Sequence, residues 1–208
     1  ECLRSGRPAT DLAGTLSLAA AHRMLRFDLA HDARNDIQDG WLDVTHPFTF
    51  AEAVYDVARK HDGPEVWRLL FQAARFIHNA GALDGPTATP ARSTGGVDAL
   101  THAIRRKQPE QALAEASQLI ETPNGATLAR HAVEALILDD HWVRPIVVTH
   151  VIKTLAAAIR VHALTGDPTP LLAAARFAAA PVRQRWVKRR VLEAERLVHE
   201  GKVPRTLT

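Results

Sequence analysis

Apolar positions along the chain recur at the three- and four-residue intervals of amphipathic helices, and strand-forming residues are sparse and scattered. Leu12, Leu16, Leu18, Ala19, Leu25 and Leu29 predict one helix from Asp11 to about Ala33, ended by the polar stretch Asn35–Gly40. Trp41–Pro47 reads as a short extended piece, because Pro47 disfavours helical geometry at His46. Thr49 and Glu52 have the spacing of a capping box, with Phe48 as the staple residue, and open a helix from Phe50 to about Lys60. Asp62-Gly63-Pro64 turns the chain into a helix from Glu65 to about Ala80.

Residues 81–96 hold four glycines and two prolines, which predicts a flexible loop, either a linker or a lid, between two helical subregions of a single domain spanning 1–208. Helices then resume at Val97–Arg106, Pro109–Glu121, Ala126–Leu138, Pro145–Leu164, Pro170–Ala179 and Val182–Glu200, separated by signals such as Thr122-Pro123-Asn124-Gly125 and Gly166-Asp167-Pro168. The expectation is an all-α, antiparallel array of about nine helices.

Composition agrees with a packed domain: 46% apolar and 24% charged residues across 208 positions suffice for a core without disulfides. The lone cysteine, Cys2, cannot form an internal bridge, so a reducing, cytoplasmic setting is expected. A net charge of +3 is too small to argue for nucleic acid. No apolar run is expected to span a bilayer, and no secretory leader is visible.

Eleven histidines are more than such a chain usually carries, and they direct attention to metal chemistry. His150 and Lys153 sit three apart in an apolar segment, on one helical face. A lysine there has a depressed pKa if buried, and its neutral amine can take up carbon dioxide to become a carbamate, a carboxylate-like ligand. Equally, Lys153 snorkels to solvent and His150 is a hydrogen-bonded core residue. His46 precedes the expected helix cap, and His78 ends an apolar helix, where the helix dipole alone would favour it. His22 and His31 are nine apart on one expected helix and face opposite ways, and Asp28 and Asp32 beside His31 suit an orienting role. His61, His102 and His199 stand in polar or basic contexts and read as surface residues, while His131, His141 and His162 are open.

Absent motifs narrow the field. Glu-x-x-His, His-Glu-x-x-His, Walker, Gly-x-Gly-x-x-Gly and Gly-x-Ser-x-Gly patterns do not occur. A metal would therefore be held by histidines, with a carboxylate or a carbamylated lysine; imidazole-rich sites suit iron, zinc, copper or nickel.

Trp41-Leu42-Asp43-Val44-Thr45-His46, Phe76-Ile77-His78-Asn79, and Arg144-Pro145-Ile146 followed by His150-Val151-Ile152-Lys153 resemble the questin oxidase-like family, as does the segment Lys107–Glu121. The resemblance implies an all-α oxidoreductase, a dioxygenase or Baeyer–Villiger-type enzyme that uses O2 to cleave aromatic polyketides. It implies a non-haem Fe(II), or zinc in its place, held by His31, His46, His78, His150 and carboxylated Lys153, with a separate electron-donor protein as a partner. Members of that family are typically longer than this chain. Trp41, Phe48 and Trp142 are candidate contacts for a planar substrate. The alternative is a non-catalytic helical binding or scaffold domain, in which the basic residues from Arg183 to Arg196 contact an acidic partner or form a solvated face.

Overall fold

The computed structural model describes residues 6–33, 40–86, 93, 96–138, 145–181 and 194–203. Among these the chain is all-α, and its only β feature is an isolated antiparallel bridge between Phe27 and Asp84.

Helix α1 runs from Ala9 to Arg26, with Asp11 in its first turn and Arg23 and Arg26 in its last, charges that complement the helix dipole. It stops earlier than the apolar pattern predicts. Phe27 leaves helical geometry to bridge Asp84, which is held by Arg23 and by Arg26 at 2.6 Å. Asp28 Oδ1 then accepts the Ala30 amide at 2.9 Å and starts the four-residue α2, Ala30–Ala33. The single expected helix is thus two, because a distant segment captures the backbone at Phe27.

Helix α3 spans Trp41–Lys60 and includes the stretch expected to be extended. Its cap is Gly40, whose amide donates to Asp43 Oδ2 at 2.6 Å, so the Thr49–Glu52 capping box does not form. Thr49 instead returns its hydroxyl to the Thr45 and His46 carbonyls. Pro47 lies inside the helix and cannot donate to the Asp43 carbonyl. Burial outweighs that loss: Trp41, Val44, Phe48 and Ala51 form a fully buried stripe at helical spacing.

Helix α4, Pro64–Asn79, buries Val66, Leu70, Ala73 and Ile77 and runs into a 3-10 turn, Ala80–Leu83. The first part of the expected loop is therefore ordered; residues 87–92, 94 and 95 lie outside the described residues. Helix α5, Val97–Arg105, ends with Lys107 in left-handed geometry (φ 57°), the Lys107 amide bonding the Ile104 carbonyl and the Gln108 amide that of Ala103. Helices α6 (Pro109–Ile120), α7 (Gly125–Leu138), α8 (Pro145–Thr165) and α9 (Thr169–Ala178) follow close to their expected limits. Gly125 is obligatory at its turn, since a Cβ there would fall 1.7 Å from the Leu119 carbonyl oxygen. The expected last helix falls mostly outside the described residues, which resume as a helical stretch at 194–200.

The alanine-rich α9 is the centre of the main core. All of its residues from Pro170 to Ala178 except the half-buried Leu172 are buried, and its small side chains let α1, α6 and α8 pack around it. A smaller cluster of Ala13, Val54, Ala58, Val66, Leu70 and Ala73 joins α1, α3 and α4. Residues 147–165 of α8 are long and apolar enough, by length and composition alone, to cross a membrane, with a mean hydropathy of 1.4, contrary to the sequence expectation; here α8 packs on α3, α7 and α9.

Candidate functional site

His46 and His150 are each the sixth residue of their helices, α3 and α8. The packing of those helices brings His46 Nε2 and His150 Nε2 to 3.0 Å across 104 residues of sequence. The ring centroids are 5.1 Å apart and the ring planes inclined at 54°. Both rings are half-buried.

Lys153 follows His150 by almost one helical turn. Its side chain reaches solvent, yet partial desolvation lowers its pKa. Burial, then the nearby Lys153, then His150 lower the pKa of His46. Two imidazoles and an ammonium gathered together disfavour further protons, so His46 is held neutral with a lone pair on one ring nitrogen. In the neutral pair one Nε2 donates and the other accepts; a metal ion would take both lone pairs instead.

A second contact fixes the same two helices. Arg160 on α8 forms a two-pronged pair with Glu52 on α3, with Nη2 to Oε2 at 2.9 Å. From His46–His150 to Glu52–Arg160 the numbering rises on both helices, so α3 and α8 run in the same direction. Thr154, one turn beyond His150 on the same face, has a fully buried hydroxyl with no hydrogen-bond partner. Several helical Ser and Thr hydroxyls, such as those of Ser17, Thr49, Ser117 and Thr165, bond the carbonyl four residues back; Thr154 does not.

His31 and His78 do not join this group. Among the described residues no three of His, Cys, Asp and Glu gather as a metal site. The break at Phe27 places His31 on α2, its ring 6.1 Å from that of Phe27. An inward-facing His78 would need Phe71 to face inward too, but Phe71 is 60% exposed and the buried stripe ends at Ile77. His78 is exposed beside Arg23 and Gly81. His61, His102 and His199 are exposed, as expected, and so is His131. His162 pairs through Nδ1 with the Asp167 carbonyl at 2.9 Å, a contact at the end of α8. His141 lies outside the described residues.

The expected aromatic contacts are also revised. Trp41 and Phe48 are fully buried; Trp41 packs between Phe27 and Phe177 at 4.6 and 5.4 Å, with the Arg176 guanidinium over its ring. They are core residues. Trp142 lies outside the described residues. Sequence reasoning missed Glu52 and Arg160, the pair that sets α3 against α8. Glu52 occurs at a buried helical position, one turn after Phe48, and that was the available signal.

No family model matches the chain, and no curated protein or solved structure matches it.

Proposed function

We propose that the protein is a metal-dependent oxidoreductase whose centre is organised by His46 and His150, with Lys153 as a further ligand in carbamylated form. The observation that carries this reading is the 3.0 Å separation of the two Nε2 atoms. Imidazole nitrogens about 2.1 Å from one ion at a right angle are ~3.0 Å apart, whereas a tetrahedral angle would put them at ~3.4 Å. At that separation both Nε2 atoms could reach one ion. The low pKa of His46 keeps its lone pair available near neutral pH. Lys153, with a lowered pKa and access to solvent, has the character needed to take up carbon dioxide.

In this reading His46 and His150 would hold the ion between α3 and α8, and Glu52–Arg160 keeps the two helices in register. A bound Fe(II) would supply the activation of O2 towards a planar aromatic substrate, the chemistry implied by the likeness to questin oxidase-like proteins. The set is smaller than the five ligands of that expectation, since His31 and His78 stand apart from the pair. A separate electron-donor protein belongs to the same reading.

The test is elemental analysis of the untagged protein after anaerobic Fe(II) reconstitution with bicarbonate. About one iron per chain is expected, lost in His46→Ala and His150→Ala variants that keep parental helicity. Iron retained in both variants, or none in the parent, defeats the proposal. One specific observation favours a second reading: Phe71 and Phe76 stand exposed on α4, as on a helical interaction module. An absence of stoichiometric metal would make that module the better account.

A further inference from the structure

A surface groove between α3 and α4 has the makings of a binding site that shares no residue with the histidine pair. It is an open depression of about 370 Å³ lined by Phe50, Gln72, Arg75, Phe76 and Asn79. That volume lies within the ~300–1,000 Å³ typical of small-molecule sites. Arg75 and Phe76 each lie three or four residues from both Gln72 and Asn79, so the four α4 residues share one side of the helix.

Their chemistry is divided in a useful way. Phe50 and Phe76 meet edge to face, with centroids 6.2 Å apart and planes at 61°. Phe76 keeps 39% of its surface in water, where an apolar ligand would cover it. Arg75 supplies a planar guanidinium that is exposed and has no carboxylate partner among the described residues, and no acidic residue lines the groove. Gln72 and Asn79 place an amide one turn before and one turn after it. An arginine fork between two amides recognises a carboxylate, and an edge-to-face phenylalanine pair beside it recognises a flat ring.

We infer that this groove binds a small aromatic carboxylate, its ring against Phe50 and Phe76 and its carboxylate on Arg75. The inference does not depend on a metal. Phe50 nevertheless follows His46 by four residues on α3, so a ligand in the groove would lie about one helical turn from the histidine pair.

The experiment is a calorimetric titration of 2-naphthoate into the metal-free 208-residue chain, with uncharged 2-naphthalenemethanol as comparator. One naphthoate per chain is expected. Arg75→Gln should weaken naphthoate at least tenfold and leave naphthalenemethanol unchanged; Phe76→Ala should weaken both; Arg68→Gln, outside the groove on the same helix, should change neither. All three positions are exposed, and their thermal midpoints report that the variants fold. If Arg75 serves only to balance the α4 dipole, Arg75→Gln lowers the midpoint and leaves naphthoate affinity at the parental value, which overturns the inference. Absence of saturable naphthoate binding to the parent also overturns it.

Discussion

Loss of Arg176 should cost the fold heavily. It lies on α9, is only 3% exposed, and donates to the Met24 and Phe27 carbonyls at 2.8 and 3.0 Å. The same guanidinium meets Glu110 at 2.6 Å and lies over the Trp41 ring. It therefore closes the C-terminal end of α1 at the point where that helix breaks. In Arg176→Met the aliphatic stem is kept and the charge removed. Glu110 is exposed enough to be rehydrated and adds little to the loss. The two buried carbonyls are not, and each unsatisfied acceptor costs about 1–3 kcal/mol. The two acceptors together cost about 2–6 kcal/mol. For a domain of this size 1 kcal/mol moves the melting midpoint by about 2–4 °C, so a fall of roughly 4–24 °C is expected. Urea unfolding followed by circular dichroism measures the free energy directly, and Glu110→Gln provides a control expected to change by no more than about 1 kcal/mol. An Arg176→Met protein within about 1 kcal/mol of the parent would refute the reasoning, since it would mean that the carbonyls find other donors.

Two further outcomes follow from buried polar groups. Burial lowers the Lys107 pKa from its ordinary 10.5 to about 8. Between those values the native state has released a proton that the unfolded chain still binds, so this group makes stability rise with pH across that window; the parent should gain on a Lys107→Met variant between pH 8 and 10.5 in urea titrations, and a constant difference would contradict the shift. Thr154→Val replaces an unpartnered buried hydroxyl with a near-isosteric methyl and should stabilise the protein by about 1–3 kcal/mol, whereas a measured loss of stability would mean that the hydroxyl has a partner in solution.

Local signals in the sequence located most helices to within a residue or two. Pro109, Pro145 and the Asn124-Gly125 turn act through their own backbone preferences, so α6, α7 and α8 begin where those residues say. The failures occurred where a remote contact decides. Pro47 argued for an extended segment, but burial of Trp41, Val44 and Phe48 carries the helix through it. The apolar pattern continued α1 past Phe27, but Asp84 and Arg176, distant in sequence, interrupt it. The same distinction applies at the site. His150 and Lys153 share a helix, so their common face was legible. The meeting of His46 with His150 is a tertiary event that spacing cannot reveal, and the direction His78 faces was not legible because the apolar residues before it include the exposed Phe71 and Phe76.

The parallel course of α3 and α8 has a kinetic consequence. Helices running the same way cannot be joined by a tight turn, and the intervening chain here contains α4 to α7. The His46–His150 contact closes a loop of 104 residues, with a loop-closure entropy that local hairpins do not face. The pair is expected to form late in folding, after the local helices. Its formation would then report that both halves of the chain have docked, and neither half expressed alone would assemble it.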